Sequence, residues 1–291
     1  MTGKGNPSPN VVLGAVFLIG FGVLLEMNFL LIHHLGNARY ESTFYRTAWQ
    51  FLSDLLTQHH PLEVVFLAAT GYTFYQIVGR SARQAVAGRK WTRYFAEHAD
   101  AGKMERLNAA YRKWNIPITI VRDPSVLALT TGFIRPRIVL STGLIRLLSA
   151  EELEAVLLHE RYHCRQRHTV KKFAVQLMMD GIGYIPIIRS LGRHYFIGIE
   201  LSADRYAMDQ MNSSYEIGSV LLKLVRHNGQ YAGVGAGGTV HFADTAVNYR
   251  IEQIVNPDQP VRVALASAKT VAISAILLSL MLAALLLECP I

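Results

Sequence analysis

The stretch Ser149-Ala150-Glu151-Glu152-Leu153-Glu154-Ala155-Val156-Leu157-Leu158-His159-Glu160-Arg161-Tyr162-His163 decides how this chain is read. Ser149 with Glu152 three residues later has the spacing of a capping box, and Glu151, Glu152 and Glu154 suit the positive end of a helix dipole. Arg165, Arg167, Lys171 and Lys172 lie near the other end, so the pattern predicts a helix reaching about Lys172. Leu153, Val156, Leu157 and Leu158 mark its start as buried. Histidines at i and i+4 share a helix face, so His159 and His163 can reach one ion at about 2.0–2.1 Å. Glu160 lies between them, where its carboxylate meets a water rather than the ion. The alternative, two solvated histidines on a charged helix, conflicts with the apolar residues before them, because buried imidazoles need partners.

A catalytic metal needs a third protein ligand and an open position. Glu200, in Ile199-Glu200-Leu201-Ser202-Ala203-Asp204, is the best candidate, with His168 and His194 as rivals. Glu200 and Asp204 share a face of a helix predicted over residues 198–227. Asp204 can therefore accept a ring N–H from a ligand histidine and fix its tautomer. Candidate donors to an oxyanion are His194, Tyr184 and Arg205, and the sequence does not choose among them.

Upstream, residues 80–115 are polar and helical in pattern. Three short β-branched runs come next, at 116–121, 126–130 and 137–141, broken by Asp123-Pro124 and Arg135-Pro136, which predicts a small sheet. Pro136 suggests that the last run, Arg137, Ile138, Val139, Leu140 and Ser141, lies at a sheet edge or begins there. At an edge it could pair with an extended substrate by strand addition. Residues 229–238 hold five glycines and read as a loop.

Hydrophobic residues make up 51% of the chain and charged residues 17%, with a mean hydropathy of +0.22, an unusual balance for a soluble protein. Long apolar blocks at 11–32, 62–79 and 271–287 are the candidate membrane spans. Residues 173–188, interrupted by Asp180, two glycines and Pro186, read instead as a buried or interfacial helix. Arg80, Arg83, Arg89, Lys90 and Arg93 come directly after the second block with no acid before Glu97, so the positive-inside bias places the region beyond residue 79 in the cytoplasm. The expected order is a membrane region 1–79 with external loop 33–61, a cytoplasmic domain 80–262, and a C-terminal region 263–291 with the third span. His33-His34 and His59-His60 flank the loop; they are interfacial polar residues or a sensor of external metal or acidity. The net charge of +8 has no base-reading fold signature beside it and fits basic loops at a lipid bilayer, so direct nucleic-acid binding is not expected. Cys164 and Cys289 give no disulfide framework, and Cys164 reads as a reduced, structural thiol.

The run Leu129-Thr130-Thr131-Gly132-Phe133-Ile134-Arg135-Pro136-Arg137-Ile138-Val139-Leu140-Ser141, then Gly143-Leu144, then the capped helix, resembles the BlaR/MecR-type antirepressor metallopeptidases. Tyr184-Ile185-Pro186 and the Glu200 to Asp204 element share that likeness, which covers about residues 116–208. The resemblance implies an α+β membrane protein with about three transmembrane helices and a mainly helical, zincin-like metallopeptidase domain carrying a small sheet. It implies one Zn2+ per chain held by His159, His163 and Glu200, with Glu160 as catalytic base and Asp204 behind a ligand. It further implies a bacterial plasma-membrane location, a cytoplasmic active site, and a protein substrate such as a winged-helix repressor; homo-oligomers are compatible with it. Two features depart from the family: after the third apolar block only residues 288–291 remain, with no S-x-x-K, and His168 stands where the family often has Asp. The HtpX-type quality-control proteases share the metal residues and are the second reading. A receptor or scaffold with structural zinc is the third, disfavoured because Glu160 supplies a base that a structural site does not need.

Overall fold

The computed structural model describes residues 6–37, 61–228 and 240–288. In chain order the elements are α1 (Pro9–Asn37), α2 (Pro61–Glu97), α3 (Ala101–Ala110), a 3-10 turn (Arg112–Trp114), β1 (Ile118–Val121), β2 (Ala128–Thr131) and β3 (Arg137–Ser141). Then come α4 (Thr142–Leu147), α5 (Ala150–Arg165), α6 (His168–Gly181), α7 (Pro186–Met211), α8 (Tyr215–Asn228), α9 (Val240–Val255) and α10 (Ala268–Glu288). Among the described residues the fold is mainly helical with one small three-stranded sheet, as the pattern predicts. The chain divides into two compact units, one of Met1–Pro9, Ala85–Ala174 and Arg193–Ala264, the other of Asn10–Gln84, Val175–Gly192 and Leu265–Ile291. The glycine-rich segment, the four loop-flanking histidine side chains and Cys289 lie outside the described residues.

In the first unit the sheet order is β1-β3-β2, with β3 parallel to β1 and antiparallel to β2. The strand expected at an edge, Arg137, Ile138, Val139, Leu140 and Ser141, is therefore central. Pro136 precedes the strand, so its missing N–H lies outside the ladder and leaves both sides of β3 free to pair. Substrate addition along β3 is accordingly closed. Gly132, at φ +96°, makes the turn from β2 back towards β3, a conformation that favours glycine.

One sheet face packs Ile118, Ile138 and Leu140 against Leu144, Val156, Leu157 and Cys164, with Val220 from α8 completing the cluster. The other face packs Val121 and Val139 on Phe95. Alternate side chains of the strands thus serve opposite faces, and both faces are covered. The capping box at the start of α5 is present: Glu152 N donates to Ser149 Oγ at 3.2 Å and Ser149 N donates to Glu152 Oε2 at 2.8 Å. Lys223 and Ser219 of α8 also bond the Glu152 carboxylate, at 2.6 Å each, so the cap ties two helices together. These bonds fix the axial position of the helix that carries His159 and His163.

The helix expected to reach Lys172 ends at Arg165, and α6 begins at His168. Arg167 takes a left-handed conformation (φ 51°) between them, a break that no glycine or proline announces. The helix predicted over 198–227 is likewise two, α7 and α8, separated at Asn212 (φ 51°). Asparagine tolerates that backbone region better than most residues.

In the second unit Val23 and Met27 of α1, Phe66 of α2, Ile182, Ile185, Ile188 and Met281 of α10 form one buried cluster. Thr73 Oγ1 donates to the Gly181 carbonyl at 3.0 Å, Ile187 N donates to Ser274 Oγ at 2.9 Å, and Arg80 pairs with Asp180 at 3.3 Å. Residues 173–188, expected as one helix, fall on the end of α6, a turn and the start of α7, with Pro186 opening the new helix; Val175, Ile182, Ile185 and Ile188 are buried as expected. Outside this core, large apolar side chains stand exposed along α1 (Leu18, Phe21, Leu25), α2 (Val65, Tyr75, Val78) and α10 (Ile276, Leu280, Leu282). Apolar surface on that scale marks contact with lipid or protein. Among the described residues one segment, Pro9–Phe29, is long and apolar enough to cross a membrane, while Ala268–Ala283 is a shorter apolar stretch.

Candidate metal centre

Helix α5 presents His159, Glu160 and His163, and α7 presents Glu200 and Asp204. His159 Nε2 and His163 Nε2 lie 3.1 Å apart; Glu200 Oε2 is 3.4 Å from His159 Nε2, and Glu200 Oε1 is 3.6 Å from His163 Nε2. Donors around a tetrahedral ion at 2.0–2.1 Å stand about 3.3–3.4 Å from one another. The three side chains therefore fit one metal. Among the described residues they form the His/Cys/Asp/Glu group that can hold an ion.

Each imidazole is held from behind through Nδ1, leaving Nε2 for the metal. His159 Nδ1 donates to Asp204 Oδ1 at 2.8 Å. Asp204 is fully buried and also accepts two bonds from Arg250 of α9, Nε to Oδ2 at 2.6 Å and Nη2 to Oδ1 at 2.8 Å. His163 Nδ1 faces His168 Nδ1 at 2.7 Å. For His163 to offer Nε2, its Nδ1–H must donate to an unprotonated His168 Nδ1. Burial, together with the neighbouring His163 and Lys172, lowers the His168 pKa to about 3, which keeps that ring neutral. His168 thus stands behind His163 and lies outside the group that can hold an ion. His194, the other rival, turns towards backbone at Ala264 and Pro7. The Tyr184 hydroxyl belongs to the second unit, 3.4 Å from Thr73 Oγ1. Arg205 is half-buried on α7 and is not bonded to the cluster.

The electrostatics stem from these contacts. Burial, the largest influence on His159, disfavours its cation, yet the bonds to Asp204 and Glu200 outweigh it and raise the pKa to about 9. Burial lowers that of His163. Glu200 is held well below the usual carboxylate range because Lys172 and His163 outweigh its burial, and Arg250 does the same for Asp204. A proton on His159 competes with a metal for Nε2, so metal binding displaces it and weakens as pH falls. Burial pushes the Cys164 thiol up to about 11, in keeping with a structural role.

Three residues of this centre have no signal in the sequence pattern. Lys172 Nζ donates to Glu200 Oε1 at 2.8 Å, leaving Oε2 as the freer oxygen. Arg250 reaches Asp204 from 46 residues away, after a glycine-rich segment. Thr130 Oγ1 on β2 stands 2.7 Å from Glu160 Oε2 and 3.0 Å from the Glu160 carbonyl.

A capped helix bearing H-E-x-x-H, the Glu200 carboxylate of α7 and a small sheet beside them form the geometry of a candidate metallopeptidase site. The profile of the BlaR1 peptidase M56 family matches residues 56–254, and the chain belongs to that family. It is similar to the regulatory protein BlaR1 of Bacillus licheniformis, 26% identical over 142 residues, which is 48% of this chain and 24% of that protein. The chain thus matches about a quarter of the length of this relative. Family membership supports a membrane-associated peptidase of metallopeptidase type.

Proposed function

We propose that this protein is a membrane-embedded, zinc-dependent endopeptidase with its active site on the cytoplasmic side. Its role in this reading is regulatory cleavage of a cytoplasmic protein such as a winged-helix repressor. The observation that carries the proposal is the convergence of His159 Nε2, His163 Nε2 and the Glu200 carboxylate at metal-ligand spacing, with Glu160 outside that group. The exposed apolar side chains of α1, α2 and α10 support three membrane spans, and the cations after residue 79 support the cytoplasmic orientation.

When bound, zinc supplies a Lewis acid that polarises a peptide carbonyl and acidifies water. The chain's own residues do the rest. Glu160 accepts the water proton and returns it to the leaving amine. Asp204 and His168 hold the two rings in the tautomers that leave Nε2 free, and Arg250 keeps the Asp204 carboxylate ionised and aimed. A Glu160→Ala strain should accumulate intact the proteins that the wild type cleaves. Identical cleavage patterns in the two strains would overturn the proposal.

The sheet supports one placement for an extended substrate. The outer side of β1 is occupied, since Asp100 N donates to the Ile120 carbonyl at 2.8 Å and Arg122 N donates to the His98 carbonyl at 2.8 Å. That leaves β2 as the strand with an open edge among the described residues. Ser141 N donates to the Leu127 carbonyl at 2.9 Å, which sets the alternation along β2. The main-chain groups of Ala128 and Thr130 accordingly point away from β3. An extended peptide can pair with them beside α5. Ala128→Pro removes one outward N–H and no ladder bond. It is expected to lower kcat/KM about three- to tenfold, the worth of one hydrogen bond, at unchanged zinc content. Wild-type turnover in that variant would rule the edge out.

A further inference from the structure

We propose that Thr130 is a positioning residue for the catalytic carboxylate, linking the open strand edge to the general base; this rests on the peptidase reading above. The Thr130 hydroxyl has one hydrogen and two acceptors on Glu160, Oε2 at 2.7 Å and the carbonyl at 3.0 Å. The carboxylate oxygen is the nearer acceptor, and the carbonyl lies within α5, where it already accepts the helix's own i+4 bond. The hydrogen therefore goes to Oε2. That bond fixes the Glu160 rotamer and leaves Oε1 as the oxygen free to take a proton. Cys164, one turn further along α5, packs its sulfur 3.5 Å from the same hydroxyl and limits the rotamers that Thr130 can take.

The placement on β2 gives the contact its consequence. Thr130 pairs with Ile138 across the sheet in a position whose N–H and C=O face the open edge. Its side chain, on the same face as Ala128, points to α5. One residue therefore offers its main chain to the substrate and its side chain to the base. A peptide that pairs along β2 stiffens the backbone carrying the hydroxyl that aligns Glu160, so docking and base alignment are mechanically joined. A hydroxyl serving merely as a buried polar group satisfied by a helix carbonyl would have no such effect.

The test uses full-length protein in detergent, loaded with zinc, in the wild type and in Thr130→Val, Thr130→Ser, Glu160→Gln and the Thr130→Val/Glu160→Gln double variant. The first readout is the affinity for acetohydroxamate, whose hydroxyl hydrogen-bonds the base carboxylate when its oxygens take the metal. The second is kcat and KM on a peptide spanning a cleavage site found with the Glu160→Ala strain. Zinc content and the thermal midpoint serve as controls. Thr130→Val keeps shape and strand propensity without the hydroxyl, and should lose about tenfold in hydroxamate affinity and in kcat, the effect of one charge-assisted hydrogen bond. KM, zinc content and the midpoint should stay at wild-type values, and Thr130→Ser should lie within about twofold of the wild type. The double variant should bind hydroxamate no more weakly than Glu160→Gln, because Thr130 acts through that carboxylate. Wild-type behaviour of Thr130→Val beside an impaired Glu160→Gln overturns the inference and leaves the peptidase reading standing, and additive losses in the double variant do the same. Wild-type behaviour of Glu160→Gln overturns the peptidase reading, and the inference with it.

Discussion

Arg250→Ala is expected to lower the stability of the folded protein by about 3–5 kcal/mol, the cost of leaving a buried charge without its partner. Asp204 is fully buried and accepts both guanidinium bonds. Without them its fully buried carboxylate keeps a single protein partner, His159 Nδ1. The same change should weaken metal binding by about 10–100-fold, because Asp204 would no longer hold the His159 ring in place. Arg250→Lys should recover part of the loss, since an ammonium replaces the charge but not the two-point fork. Asp204→Asn/Arg250→Ala should be less destabilised than Arg250→Ala alone, because the double change removes the unpaired charge. Denaturant unfolding and metal titration check both effects. A double variant as unstable as the single would show that Arg250 acts through packing rather than through Asp204.

Removing a ligand should have a larger effect on the metal than removing its support. His159→Ala, His163→Ala and Glu200→Ala each delete one of three converging donors. Each should fall below stoichiometric zinc after purification, a loss beyond the roughly 10–100-fold expected when a supporting partner goes. His168→Ala should show that smaller loss, since His168 touches His163 Nδ1 and lies outside the three converging donors. Competition with a chelator of known affinity orders the four variants. An equal loss in His168→Ala and His163→Ala would mean that His168 is itself a ligand.

The parts of this centre that the sequence makes legible are those carried by local spacing. Ser149 and Glu152 announce the start of α5, His159 and His163 share a face because they are four apart, and the same interval places Glu200 and Asp204 on one face of α7. Three strands were legible from β-branched runs between prolines. Their order was not, because Pro136 constrains the residue where a strand begins and says nothing about which neighbours pair. The break after α5 was hidden because Arg167 adopts a left-handed backbone without being a residue that signals one. Asn212 offered such a signal, and the helix periodicity on either side masked it. Lys172, Arg250 and Thr130 reach the centre through tertiary packing, across intervals of 28, 46 and 30 residues, and no periodic pattern spans such distances. The membrane region shows a similar division: residues 11–32 stand out by hydropathy, whereas the aromatic and polar residues of 62–79 blur the second candidate span.

In the proposed division of roles, His159, His163 and Glu200 hold the metal while Glu160 performs the proton transfer. Its most direct test is zinc content and peptide cleavage measured on the same preparations of wild-type and Glu160→Gln protein. About one zinc per chain is expected in both, with cleavage in the wild type and none in the variant. Cleavage by Glu160→Gln at the wild-type rate, or a wild type that cleaves with no zinc bound, would contradict it.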